Sequence, residues 1–412
     1  MGATSVKMHS GSGWVSLPED SKVDCLRFLD AEATMAVAAT SSDARALTNH
    51  EELWAEYYRR DWQWLQPAGP SCGNSFRRQH LSLTQRARRD DPAFLVWGGS
   101  VRRDVQGHAD ASVVSSLDNS NDGKLQWQSF ALPTLGRCAA GLCQARGQMF
   151  SVGGFDFSEE LAMSVAEAID VSSLLEGEPE VKALPRLRCP RACPGLVATP
   201  ESLLAIGGGS SMFTAAEAFA SVEALPFSDL QSEWRPAPSL LRPRCAAGAC
   251  STGSGQVFVV SGYAGKDRYE DTVEWIDATG SEGLLRGWQP APALSHARAG
   301  CVACFGPDGC VWALGGGRNE SESLDSIERL DPRTPRWFSD VPPMPGRRRC
   351  FAGGFGIDRK LYIYGGWDST RWHDPTAARL DLRTMRWEPL PPLYGEATGI
   401  IPYHFVSGCV AF

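Results

Sequence analysis

Short apolar runs closed by glycine recur along the chain: FLVWGG, MFSVGG, LLAIGG, VFVVSG, VWALGG and YIYGGW. Their β-branched and aromatic residues read as buried strands, and glycine at the end permits a turn that a side chain would forbid. The doublets are Gly98-Gly99, Gly153-Gly154, Gly207-Gly208, Ser261-Gly262, Gly315-Gly316 and Gly365-Gly366, at steps of 55, 54, 54, 54 and 50 residues. Such a period marks one supersecondary unit copied along the chain. About 16 residues before most doublets stands an arginine: Arg137, Arg191, Arg244, Arg298 and Arg349. Each opens a second apolar run (RCAAGLC, RACPGLV, RCAAGAC, RAGCVAC, RCFAGGF). Downstream come half-apolar segments such as AEAIDV, VEWIDA, IERLDP and AARLDL. Trp127, Trp234, Trp288, Trp337 and Trp387 follow in most copies, and then a proline-rich turn. Each period therefore supplies four short strands and a turn, one blade of a β-propeller.

Doublet, arginine, acidic-apolar strand and tryptophan in register resemble the Kelch repeat, over roughly residues 92–412. Some copies depart from the pattern. The second has Pro179 and Glu180 where a tryptophan is expected, the fourth has Ser261 for the first glycine, and the third has Ser221 in the acidic slot. The first doublet is preceded only by PAFLV, so its blade lacks an innermost strand. VSGCVAF at the C-terminus aligns with RAGCVACF at 298–305 and supplies the missing strand. The expectation is a mainly β fold: a six-bladed Kelch-type β-propeller closed by the C-terminal strand, which removes free sheet edges.

Residues 14–65 carry no strand pattern. The apolar spacing of Cys25, Leu26, Phe28, Leu29, Met35, Val37, Leu53 and Trp54 suits short amphipathic helices. LPEDSKVDCLRFLD, AEATMAVAATSSDARAL and EELWAEYYRRDW resemble an F-box, carried by Leu17, Pro18, Leu26, Phe28, Leu29, Leu53 and Trp54. That resemblance implies a small all-α F-box-like module. It would dock on the adaptor protein of an SCF-type cullin-RING ubiquitin ligase and its cullin scaffold, while the propeller holds the target protein. The alternative is a helical cap on a non-catalytic Kelch scaffold with no ubiquitin link. Residues 1–13 read as a flexible tail, and 66–91 as a linker with a short basic helix around five arginines.

A chain of 412 residues with 43% hydrophobic content holds a large core, and a net charge of −8 argues against a nucleic-acid or membrane-surface binder. No run approaches a membrane span, and the first residues lack a secretory pattern, so cytoplasm or nucleus is expected. Thirteen cysteines, an odd count, point to reduced thiols. Cys138, Cys245 and Cys350 follow the repeat arginines, as packing residues of the innermost strands. Cys301 and Cys304 have a metal-like spacing, but no second pair stands near them. Seven histidines show no ligand spacing, and nucleophile, phosphate-loop and HExxH motifs are missing, so neither catalysis nor a cofactor is expected.

Binding remains. The repeat arginines Arg137, Arg191, Arg244, Arg298 and Arg349 would ring one mouth of the channel, where guanidiniums suit an acidic or phosphorylated target. Alternatively, each pairs with an acidic residue of a neighbouring blade (Glu167, Glu274, Glu328) or caps carbonyls. The irregular loops that differ between blades, residues 156–160, 210–214, 266–270, 318–323 and 368–374, are equally good contacts, foremost the aromatics Phe155, Phe157, Tyr263, Tyr269, Trp367 and Trp372.

Overall fold

In the computed structural model of the chain, the described residues are 22–23, 26, 34–35, 37, 46–48, 50–61, 94–101, 111–119, 125–135, 137–156, 159–171, 173, 179–211, 217–280, 286–319, 321–356, 358–368, 374, 376–392 and 409–411. The chain divides into two compact units: Met1–Trp62 with Pro70–Thr84, and Gln63–Gly69 with Gln85–Phe412. Part of the stretch read as a linker thus falls with the N-terminal unit.

In that smaller unit the one extended helix described is Glu51–Asp61, with helical backbone also at Val23, Leu26, Met35, Val37 and Leu47. Its core gathers Val23, Leu26, Leu47, Leu53, Trp54 and Tyr57. The Tyr57 hydroxyl donates to the Leu26 carbonyl at 2.5 Å, and Trp54 Nε1 donates to the Thr48 carbonyl at 2.7 Å. The tail 1–13 and most of 14–50 lie outside the described residues. The expected small all-α F-box-like module is thus not supported: the described residues give one short helix and a small apolar core.

The larger unit is mainly β. Five four-stranded antiparallel blades follow one another, each from contiguous sequence, with inner strands Gly141–Ala145, Gly195–Ala198, Gly248–Ser251, Val302–Phe305 and Ala352–Phe355. Where six like blades are expected, five are built alike. The remaining four-stranded sheet joins the two ends of the chain: Cys409–Ala411 pairs with Phe94–Val101, followed by Ala111–Asn119 and Leu125–Leu135. This composite sheet differs because the repeat arginine is missing from it; the aligned position is Val406. Cys409–Ala411 lies beside both Ala352–Phe355 and Gly141–Ala145.

The core of this unit lies between blades. Phe150, Val152 and Ala168 of one blade pack with Leu196, Leu203 and Trp234 of the next, and the pattern repeats around the unit. Both faces of each middle strand are covered, so Val311–Leu314 and Leu361–Tyr364 are buried throughout. That explains why these strands read as unbroken apolar runs instead of alternating ones. Outer strands are half exposed and are tied back by tryptophan. The indole N–H groups of Trp234, Trp288, Trp337 and Trp387 donate to the carbonyls of Pro185, Pro238, Pro292 and Pro342, each in the proline turn of the preceding blade.

The doublets hold the blades together. The amides of Gly154, Gly208, Gly262 and Gly316 donate to the carbonyls of Arg191, Arg244, Arg298 and Arg348 in the following blade, at 2.9–3.0 Å. Gly207 has φ +59°, and a Cβ there would stand 2.4 Å from the Arg244 carbonyl oxygen. Gly147 has φ +76° but open space around it. Gly207→Ala should therefore lower unfolding free energy by about 2–4 kcal/mol, combining left-handed strain with a clash, whereas Gly147→Ala should cost about 1–2 kcal/mol. Denaturant titration of the two variants checks this; equal losses would refute the interblade role of the doublet.

Candidate protein-binding site

Each contiguous blade begins with an arginine four residues before its inner strand: Arg137, Arg191, Arg244, Arg298 and Arg348. Their guanidiniums are buried and face inward to their own blade. Arg137 pairs with Glu167 at 2.8 Å, Arg191 with Glu223 at 2.6 Å and Arg244 with Glu274 at 2.5 Å, and Arg298 pairs with Glu328. Nη1 of Arg191, Arg244, Arg298 and Arg348 also donates to the carbonyl of the first doublet residue: Gly207, Ser261, Gly315 and Gly365. The carboxylates have further donors. Glu223 accepts from the amides of Arg188 and Cys189, Glu274 from those of Leu241 and Arg242, and Glu328 from the amide and hydroxyl of Ser295. Burial draws the Arg137 and Arg244 guanidiniums below their usual pKa, and the Glu167 and Glu274 carboxylates oppose that shift.

Three sequence expectations are corrected here. The arginines pair with acids of their own blade, not of a neighbouring one, because the loop entering the inner strand folds over the third strand. The acid of the third copy is Glu223 rather than a residue at Ser221. The repeat arginine of the last contiguous blade is Arg348, not Arg349. Arg348 bonds Gly365 and Thr376 as Arg244 bonds Ser261 and Thr272, and its acid is Asp374 at 3.4 Å, since Ala378 fills the glutamate slot. The spacing from arginine to doublet varies with loop length, whereas the spacing to the inner strand does not. Counting from the strand would have distinguished the two arginines.

The next two residues of each blade face the channel. The second, at Ala139, Cys193, Ala246, Gly300 and Cys350, has φ between 49° and 64°. Successive copies are joined by amide-to-carbonyl bonds, Cys193 to Ala139, Ala246 to Cys193, Gly300 to Ala246 and Cys350 to Gly300, at 2.7–3.1 Å. This hydrogen-bonded spiral holds side-chain-bearing residues in the left-handed region. Thiols of Cys138, Cys193, Cys245 and Cys350 lie near enough to influence one another. Burial raises all four, Cys245 to about 12 and Cys350 to about 11. Cys301 and Cys304 part company: Cys301 Sγ meets Ser261 Oγ at 3.0 Å, and Cys304 packs in the apolar cluster around Trp312. Among the described residues no group of three or more His, Cys, Asp or Glu side chains is placed to hold a metal ion.

The first of those two residues bridges to the residue after the doublet. The pairs are Cys138 with Phe155, Ala192 with Gly209, Cys245 with Tyr263, Ala299 with Gly317 and Arg349 with Trp367. Five equivalent backbone positions at one end of the channel thus carry five different side-chain pairs. Phe155 is fully buried with Cys138 and Ala192. Tyr263 is buried against Cys245, and its ring meets Tyr269 edge-on at 5.4 Å. Trp367 is half-buried, with the Arg349 guanidinium 4.6 Å from its ring centroid. Glu270, also buried, gathers Arg242 at 3.2 Å and Arg268 at 2.9 Å. Trp372 lies outside the described residues. So do Leu17, Pro18, Phe28 and Leu29 of the adaptor-facing set, while Leu26, Leu53 and Trp54 are buried in their own unit's core. Tyr269, Glu270, Asn319 and Ser323 fall in the irregular loops that sequence reading marks as contact candidates, whereas it missed Gly317, which has no signal beyond its place after the doublet.

Comparison with known proteins agrees with this frame. The Kelch motif family matches residues 297–345, and no F-box family matches the N-terminal residues. Human Kelch-like protein 33 is 31% identical over 143 residues, 34% of this chain and 25% of that protein. F-box/kelch-repeat protein At4g39580 of Arabidopsis thaliana is 34% identical over 104 residues, 24% of this chain and 26% of that protein. The matched segments thus span about a quarter of the length of each of these relatives. Among solved structures, that of YjhT superposes with a TM-score of 0.56 at 14% identity, covering 73% of this chain and 98% of that one. The chain therefore carries a Kelch repeat within a Kelch-type propeller fold.

Two outcomes follow from the buried groups. Arg244→Met should cost about 3–5 kcal/mol by stranding the Glu274 carboxylate, and adding Glu274→Gln should restore part of that loss, as a denaturant double-mutant cycle would read. The channel thiols should react with a thiol reagent at pH 8 only on unfolding, because burial keeps the thiolate scarce; rapid labelling of Cys138 or Cys245 in the folded chain would contradict this.

Proposed function

We propose that this chain is a protein-interaction propeller that recruits a target protein to an SCF-type ubiquitin ligase through its N-terminal unit. The observation behind the first half is the channel mouth, where a repeating backbone presents non-repeating side chains. Repeat-wide residues such as Arg137, Arg191, Arg244 and Arg298 serve the frame, and a specific surface is made by what differs between blades. The target-contacting residues under this reading are Arg349, Tyr263 and Trp367, joined by Trp372. The composite sheet acts as the sixth blade and closes the ring with Cys409–Ala411.

The adaptor half is supported by the F-box-like residues Leu17, Pro18, Leu26, Phe28, Leu29, Leu53 and Trp54 and by the name of the Arabidopsis thaliana relative. Catalysis of ubiquitin transfer belongs to partner subunits under this reading, and the chain's role is positional. A second reading, a Kelch scaffold without a ubiquitin link, is favoured by the full burial of Leu26, Leu53 and Trp54 in their own core.

Affinity capture with the full chain and with a chain lacking residues 1–65, read by mass spectrometry, separates the two. The adaptor and cullin are expected with the full chain only, with target proteins retained by both. Absence of adaptor from both captures would leave the scaffold reading.

A further inference from the structure

Arg349 breaks the symmetry of the channel mouth. The equivalent positions in the other contiguous blades are Cys138, Ala192, Cys245 and Ala299, all small. Its side chain reaches across to the preceding blade and lies against Gly317, where a Cβ would stand 2.3 Å from the guanidinium carbon. Nε donates to Ser323 Oγ at 2.9 Å and Nη1 to the Asn319 carbonyl at 2.7 Å. Among the described residues Nη2 has no hydrogen-bond partner, although Arg349 is only 5% exposed. The buried repeat arginines each hold a carboxylate, whereas among the described residues Arg349 holds none. Glu322, Asp368 and the Tyr269 hydroxyl act on it only at longer range, together with the Cys350 thiol, and burial lowers its pKa. A buried cation without a directly bonded counter-ion is costly.

We infer that Arg349 is the specificity-determining contact for the target: Nη2 takes a side-chain carboxylate from an acidic peptide segment that enters the channel mouth. This rests on the interaction role proposed above. The charge calls for a single anion. A phosphate dianion would bring a second negative charge beside Glu322 and Asp368, which favours Asp or Glu in the ligand over a phosphoresidue. Access comes from Trp367. Its half-buried indole lies over the guanidinium, and under this proposal it swings aside to admit the carboxylate to Nη2. The Tyr263–Tyr269 pair offers apolar surface at the same mouth. Gly317 is required because any side chain there would evict the guanidinium.

The test is selection of a random short-peptide library on the full chain, with Arg349→Met as the counter-target. Acidic peptides are expected to be enriched on the wild type. Their affinity should fall about tenfold or more on Arg349→Met, and replacing the peptide's Glu by Gln should cause the same loss without adding to it. The melting temperature of Arg349→Met should be no lower than wild type, unlike that of a frame arginine. The peptide-side change probes the contact without touching the chain, so a destabilised variant leaves the test intact. The inference is overturned if no acidic peptide is enriched over the counter-target, if affinities ignore Arg349, or if only phosphoserine forms of the peptides bind. Peptides held equally by both chains would sink this assignment and leave the interaction role standing. Absence of any target protein in the affinity capture would sink the role itself.

Discussion

The fold of the larger unit depends on one arginine doing two things at the start of a blade, as Arg191, Arg244 and Arg298 do. Its backbone carbonyl accepts the amide of the preceding blade's doublet glycine, as Arg244 does from Gly208. Its guanidinium turns into its own blade and holds both a doublet carbonyl and a glutamate, as Arg244 does with Ser261 and Glu274. The doublets Gly207-Gly208, Ser261-Gly262 and Gly315-Gly316 are thereby fixed from two sides. A blade cannot shift against its neighbour without exposing a buried ion pair, and the cost of stranding either charge is far above that of losing one ordinary hydrogen bond. The glutamates extend the same lock to the crossing loops by accepting backbone amides such as those of Leu241 and Arg242.

A frame held this way frees the adjoining positions to vary. The bridge between Cys138 and Phe155 has the same backbone geometry as that between Arg349 and Trp367, yet one pair is an apolar plug and the other a cation under an indole. Glycine at 209 and 317 opens room beside larger neighbours, and Gly317 lodges the Arg349 guanidinium. Adjacent residues of one loop thus differ in partners: Arg348 bonds within its own blade, and Arg349 reaches the preceding one. The channel thiols belong with the frame: buried and protonated, they pack like small apolar side chains.

Much of this was legible in the sequence. The doublets, arginines and tryptophans recur because each makes the same interblade bond in every copy, and a bond that recurs in space leaves a period in the chain. The apolar runs read as buried strands because blades cover both of their faces. What stayed hidden depended on loop length. Arg347, Arg348 and Arg349 are chemically identical, and only the distance to the inner strand tells which one turns inward. Glu223 was displaced from its expected slot for the same reason. Asn319 and Ser323 fall in a loop that differs between blades, but their bonds to Arg349 carry no repeat signal, since they run to a neighbouring blade's side chain. In the smaller unit, a Leu and Trp pattern fits a core and a docking face equally well, and Leu26, Leu53 and Trp54 proved to be core.

Residue-resolved amide hydrogen exchange on the native chain tests the central claim most directly. The amides of Gly154, Gly208 and Gly316 lie just beyond their strands, where exchange is ordinarily fast, and that of Gly262 at a strand end, yet each donates to a buried arginine carbonyl of the next blade. The expected result is exchange as slow as that of the inner strands Gly195–Ala198 and Gly248–Ser251 beside them. Exchange at the rate of exposed loop amides, with the inner strands still protected, would contradict the account.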